Sequence, residues 1–107
     1  MPTDPRLSRS SPAKAGPSSG RPLSLLLVED DRGDALLVEE LIADAAIDID
    51  FHWAPTLSQA ATALDAIRPD CVLLDLHLPD AGGVDALDRL GALAPSVPIV
   101  VLTGLND

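Results

Sequence analysis

Three apolar segments of the sequence are each followed by side chains that could take part in chemistry. Glu29 and Asp30 follow the first segment, Asp75 ends the second, and Thr103 ends the third. Carboxylate oxygens suit a hard cation, above all Mg²⁺, which keeps several of its waters and also binds phosphate oxygens. Acidic side chains, Mg²⁺ and a nearby hydroxyl together favour the transfer of a phosphoryl group to or from a carboxylate.

Short apolar segments alternate along the chain with segments of helical period. Continuous apolar runs of this length are typical of strands buried on both faces, while apolar residues three and four apart indicate helices. The predicted strands are 23–28, 49–53, 71–75 and 98–103, and the predicted helices are 34–46, 57–68 and 84–93. This order predicts an α/β fold with a doubly wound parallel sheet that has helices on both faces.

The first predicted helix has an acidic cap and an apolar stripe. Asp34 can accept a hydrogen bond from a helix N-terminus, so we expect it to be the N-cap of a helix that ends near Ala46. The apolar stripe is expected to pack on the sheet and comprises Leu37, Val38, Leu41, Ile42 and Ala45. The second predicted helix opens with a capping box that runs from Thr56 to Gln59.

Parallel strands bring their carboxyl ends to one edge of a sheet, where the ligands of open α/β folds bind. If the chain crosses back over strand one, then strands one, three and four are neighbours, and Glu29, Asp30 and Asp75 converge. Two carboxylates about 4 Å apart repel by roughly 4 kcal/mol at an effective dielectric constant of about 20. Either one of them then stays protonated, or a divalent cation lies among them.

The composition limits the fold and the partners. The chain has 107 residues, which suffice for one domain, and 47% of them are apolar, which suffices for a packed core. Acidic residues outnumber basic ones by 17 to 7, so direct binding of nucleic acid is not expected. A single cysteine fits a reducing compartment, so we expect a cytoplasmic protein. No segment approaches the roughly 18 apolar residues of a membrane span, so we expect no membrane association.

Residues 1–22 differ in composition from the rest of the chain. They hold five of the ten prolines, five serines and four of the seven basic residues, with Asp4 as their single acid. Such a composition is typical of a solvated linker. We therefore predict a disordered Pro/Ser-rich tail over 1–22 and a folded domain over 23–107.

The joint spacing of three motifs resembles that of the receiver domain of two-component response regulators. The motifs are Leu-Leu-Leu-Val-Glu-Asp-Asp at 25–31, Val-Leu-Leu-Asp-Leu-His-Leu-Pro-Asp-Ala-Gly-Gly at 72–83, and Pro-Ile-Val-Val-Leu-Thr-Gly at 98–104. The resemblance covers residues 23–107. It implies a flavodoxin-like fold and a part in phosphorelay signal transduction.

The resemblance also implies a role for each of the chemistry-bearing residues. Asp75 matches the aspartate that accepts the phosphoryl group, and Glu29 and Asp30 match the acidic pair that holds Mg²⁺ together with it. His77 matches the position whose backbone carbonyl completes the metal site, and Thr103 matches the switch hydroxyl. The implied partner is a sensor histidine kinase or a phosphotransfer protein, and the implied role is that of a signalling switch, not an enzyme.

The sequence departs from the family pattern after the fourth strand. The family continues with a helix, a fifth strand that ends in a lysine, and a last helix, whereas the only lysine here is Lys14. We therefore expect a receiver truncated after its fourth strand, with the strand order 2-1-3-4. Strand four would then be an uncharged, apolar edge that favours self-association.

Two other interpretations stay open. The fold could serve as an interaction module that works without phosphorylation, or the chain could be an inactive fragment. A haloacid-dehalogenase-type phosphohydrolase also uses an aspartate after an apolar strand, and it needs a second aspartate two residues later. This sequence has His77 at that position, which disfavours the hydrolase.

Overall fold

Four strands and three helices alternate along residues 22–102, the part of the chain that the computed structural model describes. In chain order they are β1 (Leu23–Val28), α1 (Arg32–Asp44), β2 (Ile49–Ala54), α2 (Leu57–Ile67), β3 (Cys71–Asp75), α3 (Gly83–Leu93) and β4 (Ile99–Leu102). All the strands pair in parallel, in the order β2-β1-β3-β4. The prediction of a doubly wound parallel sheet in the order 2-1-3-4 is confirmed. The tail predicted at 1–22 lies, apart from Pro22, outside the described residues.

The two faces of the sheet are covered unequally. Helices α2 and α3 pack on one face over the larger core, which comprises Leu26, Val28, Ala54, Leu57, Ala60, Leu64, Val72, Leu74, Leu78, Ala86 and Leu90. Helix α1 packs on the other face over a smaller core of Leu27, Ala35 and Val38. Strand β1 lies inside the sheet with five of its six residues buried, as its continuous apolar run predicts. Strand β2 lies at an edge and is more exposed.

Helix α1 begins two residues earlier than the sequence predicted. Its N-cap is Asp31, whose extended backbone lets Oδ1 accept the backbone N–H of Asp34 at 3.0 Å. The prediction that Asp34 is the N-cap is therefore wrong. Either aspartate could act as a cap, and the earlier one does so because the connection from β1 is only three residues long. The helix ends at Asp44 rather than Ala46, which adopts a positive φ of 57°.

The predicted apolar stripe of α1 is only partly buried. Helix α1 meets the sheet with Ala35 and Val38, and Ile42 packs partly against them. The prediction fails for Leu37 and Leu41, which are 44% and 59% exposed, and for Ala45, which is also exposed. The physical reason is that the helix is rotated about its own axis. The side that carries Ala35, Val38 and Ile42 faces the sheet, and the side that carries Leu37 and Leu41 does not.

The remaining elements lie close to their predicted positions. Thr56 caps α2, since its hydroxyl oxygen accepts the backbone N–H of Gln59 at 3.1 Å. Among residues 22–102, strand β4 pairs with β3 alone, and it begins at Ile99 because Pro98 has no backbone N–H to donate. The predicted end of the strand at Thr103 lies outside the described residues. No helix within 22–102 has the length and apolar character to cross a membrane.

Candidate cation site and its acidic cluster

Three carboxylates converge at the carboxyl end of β1 and β3; we call Glu29, Asp30 and Asp75 the acidic cluster. Oxygen atoms from all three side chains lie within 4.8 Å of one another. The register explains this, because Val28 pairs with Leu74 and the next residues of the two strands are Glu29 and Asp75. Glu29 is fully buried, Asp75 is 5% exposed, and Asp30 is exposed. The structure thus brings together the three acidic residues that the sequence singled out.

Glu29 lacks a complete set of hydrogen-bond partners. Its Oε2 accepts the backbone N–H of Asp31 at 3.2 Å, whereas Oε1 is buried with no partner among residues 22–102. Burial, together with the nearby carboxylates of Asp75 and Asp34 and opposed by the Asp31 N–H, raises the pKa of Glu29 from 4.5 to about 7. Ionised carboxylates only accept hydrogen bonds, so two of them repel each other, whereas a protonated one can donate to the other. The nearby Asp75 therefore favours the protonated form of Glu29.

The acidic cluster fits a hard divalent cation. Its donors are all oxygens, and the unpartnered Oε1 of Glu29 is a buried acceptor that needs a positive charge or a proton. Asp30 is exposed, so the site opens to solvent, from which the waters of a cation such as Mg²⁺ can enter. The two alternatives left open by the sequence therefore correspond to two conditions: low pH favours a proton on Glu29, and high pH favours a cation among the three carboxylates.

The loop between β3 and α3 forms one wall beside the cluster. An open groove of about 640 Å³ is lined by Asp30 and by residues of this loop, among them His77 and Pro79. The imidazole of His77 is exposed. Thr103, the predicted switch hydroxyl, lies outside the described residues, and Leu102 before it is the register partner of Asp75.

Asp80 holds this loop against α2, a contact that the sequence reasoning missed. Its Oδ1 accepts the backbone N–H of Leu57 at 2.9 Å, and its Oδ2 accepts that of Ser58 at 3.1 Å. The hydrogen bond from Leu57, together with the one from Ser58, lowers the pKa of Asp80. The carboxylate therefore satisfies two free N–H groups of a helix N-terminus and ties the segment after Asp75 to α2.

Trp53 touches the site from the other side. Its indole Nε1 donates a hydrogen bond to the backbone carbonyl of Glu29 at 2.6 Å, while the side chain stays 39% exposed. The sequence analysis did not single out this residue, since no local pattern pairs it with a carbonyl 24 positions away. Because the chain has a single tryptophan, its fluorescence reports on the backbone that carries Glu29.

Comparisons with known proteins agree with this geometry. A family model described as the response regulator receiver domain matches residues 25–107. The chain is 34% identical over 86 residues to the probable transcriptional regulatory protein TcrX of Mycobacterium tuberculosis, covering 80% of this chain and 36% of that protein. It is 38% identical over 87 residues to a protein-glutamate methylesterase/protein-glutamine glutaminase of Anaeromyxobacter dehalogenans, covering 78% and 24% respectively.

The fold matches solved receiver structures as well. The structure of the MaeR response regulator bound to beryllium trifluoride superposes with a TM-score of 0.69 at 26% identity, covering 79% of this chain and 70% of that one. The chain spans about a quarter to about a third of the length of the two curated relatives named above. The motif-based resemblance is thus confirmed by sequence and by fold.

Proposed function

This chain belongs to the receiver domains of two-component response regulators, and from that premise we propose that it accepts a phosphoryl group on Asp75 and acts as a phosphorelay switch. The observation that carries the proposal is the acidic cluster, in which Asp75 lies next to an unpartnered, buried Glu29 oxygen. Receiver domains are signalling switches, and we assign no catalytic turnover to this one. We place it in the cytoplasm because a single cysteine fits a reducing compartment.

The chemistry begins with Asp75 in its ionised form. One carboxylate oxygen of Asp75 attacks phosphorus in line, a new O–P bond forms, and the bond from phosphorus to the donor breaks. The donor is a phosphohistidine of a sensor histidine kinase or of a phosphotransfer protein, and its imidazole leaves with the electron pair. When bound, Mg²⁺ supplies neutralisation of the charge on the transferred phosphoryl oxygens.

The remaining residues would orient and read the phosphoryl group. Glu29, Asp30 and Asp75 would hold the cation with their side chains, and His77 would contribute its backbone carbonyl. Thr103 would then donate its hydroxyl to the phosphoryl oxygens and move with the loop that follows it. The MaeR response regulator binds beryllium trifluoride, which becomes tetrahedral like a phosphoryl group when an oxygen completes its coordination, and this supports phosphoryl binding by the present chain.

Acetyl phosphate tests the phosphoryl transfer directly. With Mg²⁺ we expect the intact mass of the chain to rise by one phosphoryl group, and we expect chelation of the metal to prevent this. Asp75→Asn should lose the label completely, because an amide cannot form the acyl phosphate. Asp85→Asn is the matched control, since Asp85 is exposed in the first turn of α3 and should leave the label unchanged.

Two outcomes would contradict this assignment. Borohydride trapping followed by peptide mapping must place the modification at Asp75, and a label at any other residue refutes the proposed acceptor. A folded wild-type chain that takes up no label in Mg²⁺ favours an interaction module that works without phosphorylation. Circular dichroism of Asp75→Asn separates loss of the acceptor from loss of the fold.

We also propose that the 107-residue chain self-associates through β4. Within residues 22–102 this strand pairs on one side only, and Val100 and Val101 are 47% and 38% exposed, so the other backbone edge can pair with a second copy. Sedimentation should show association that grows with concentration. It should also grow with salt, because salt screens the repulsion between chains of charge −10.

A charge on the strand edge should weaken this association. Val100→Lys is the test variant, and Val84→Lys is its control, because Val84 is 74% exposed on α3 and far from the edge in sequence. A chain that stays monomeric at every concentration and salt level would show the proposal to be wrong. Equal association of Val100→Lys and wild type would do the same.

A further inference from the structure

Asp34, in the first turn of α1, has a carboxylate oxygen that the described part of the chain does not satisfy. Its Oδ2 is buried and has no hydrogen-bond partner within residues 22–102. The backbone N–H of the same residue is fixed by Oδ1 of Asp31 at 3.0 Å, so the start of the helix is held in place. An unpaired buried acceptor is costly, and it calls for a donor that these residues do not provide.

Asp34 shares the electrostatic environment of the acidic cluster. Burial raises the pKa of Asp34, and the charges of Asp31, Asp75 and Asp30 raise it further. In the other direction, the charge of Asp34 contributes to the raised pKa of Glu29. A positive charge among the cluster would therefore act on Asp34 as well as on the three cluster residues.

The geometry separates Asp34 from the inner ligands. The carboxylate oxygens of the acidic cluster lie within 4.8 Å of one another, and Asp34 does not belong to that group. Mg²⁺ binds a water oxygen at about 2.1 Å, and that water donates a hydrogen bond with an O···O distance of about 2.7 Å. A carboxylate oxygen that accepts this hydrogen bond lies roughly 4 to 5 Å from the cation. The unpartnered Oε1 of the fully buried Glu29 is an independent sign that this site needs a cation or a proton.

We propose that Asp34 is an outer-sphere carboxylate of the cation site and accepts a hydrogen bond from a cation-bound water. The inference rests on the proposed function in one respect, namely that Glu29, Asp30 and Asp75 hold the cation. Asp34 orients one water of the hydrated ion and adds a fourth negative charge to the site. Removal of such outer partners typically weakens metal binding by about tenfold to a hundredfold.

Titration of the full chain with Mg²⁺, followed by Trp53 fluorescence and by calorimetry, tests this role. We expect Asp34→Asn to raise the dissociation constant by roughly tenfold. Asp34→Glu keeps the charge and should stay within about threefold of wild type. Glu40→Gln is the control, because Glu40 is exposed on the same helix and loses the same charge.

Unfolding without metal distinguishes this role from a structural one. Metal-free Asp34→Asn should be at least as stable as wild type, because the substitution removes a charge near four other carboxylates. Lower metal-free stability together with an unchanged dissociation constant would make Asp34 a structural residue and overturn the inference alone. A folded wild-type chain with no saturable response to Mg²⁺ would overturn the proposed function together with this inference.

Discussion

Replacing Glu29 with Gln is expected to raise the free energy of unfolding of the metal-free protein by about 3 kcal/mol at about pH 8. The cause is the pKa of Glu29, which burial and the neighbouring Asp75 and Asp34 raise from 4.5 to about 7. A group whose pKa is raised by folding stabilises the folded state below its unfolded pKa. This stabilisation is lost as the pH rises through the folded pKa, and Gln imitates the protonated form at every pH.

Urea denaturation in a metal chelator measures this effect. Wild-type stability should fall between about pH 4.5 and about pH 7, while Glu29→Gln should lack that fall. Glu40→Gln is the control, since Glu40 is exposed on α1 and should keep the wild-type profile. A Glu29→Gln protein that is less stable than wild type at about pH 8 would contradict the prediction. Mg²⁺ should restore wild-type stability at that pH by replacing the proton.

The order of the elements and the convergence of the acidic residues were predictable from the sequence. An unbroken apolar run, as at residues 25–28, is buried on both faces only in a central strand, and it is followed at once by Glu29 and Asp30. The chain return across β1 then brings Asp75 beside Glu29, because parallel strands end at the same edge. The strand order and the residues that follow the strands therefore determine where the acidic cluster forms.

Helix rotation and long-range contacts were not predictable in the same way. Both flanks of α1 have helical period, so the pattern does not say whether Leu37 or Ala35 faces the sheet; the small Ala35 lies against Leu27. The bonds from Asp80 to α2 join a loop to amides 22 and 23 positions away. Such a contact leaves no periodic pattern in the sequence, because it depends on how the folded sheet positions two segments that are distant in the chain.

The apparent affinity for Mg²⁺ is expected to fall roughly thirtyfold between about pH 8 and about pH 5.5. In the proposed site a cation and a proton compete for the Glu29 carboxylate, whose pKa of about 7 means that the proton prevails at the lower pH. The neighbouring carboxylates of Asp75 on β3 and Asp34 on α1 strengthen this competition, since each favours a positive charge on or near Glu29.

Titrations followed by Trp53 fluorescence at several pH values measure the profile, and Glu29→Gln serves as the comparison. That variant should bind Mg²⁺ more weakly at about pH 8, because an amide is a poorer ligand, but its affinity should change far less with pH. A flat profile in the wild type would remove Glu29 from the ligand set. A steep profile that persists in Glu29→Gln would move the competing proton to another carboxylate. The predicted pair of profiles follows from our proposal that one buried carboxylate, Glu29, holds either a proton or the cation. On that proposal, pH and metal act on the site through the same side chain.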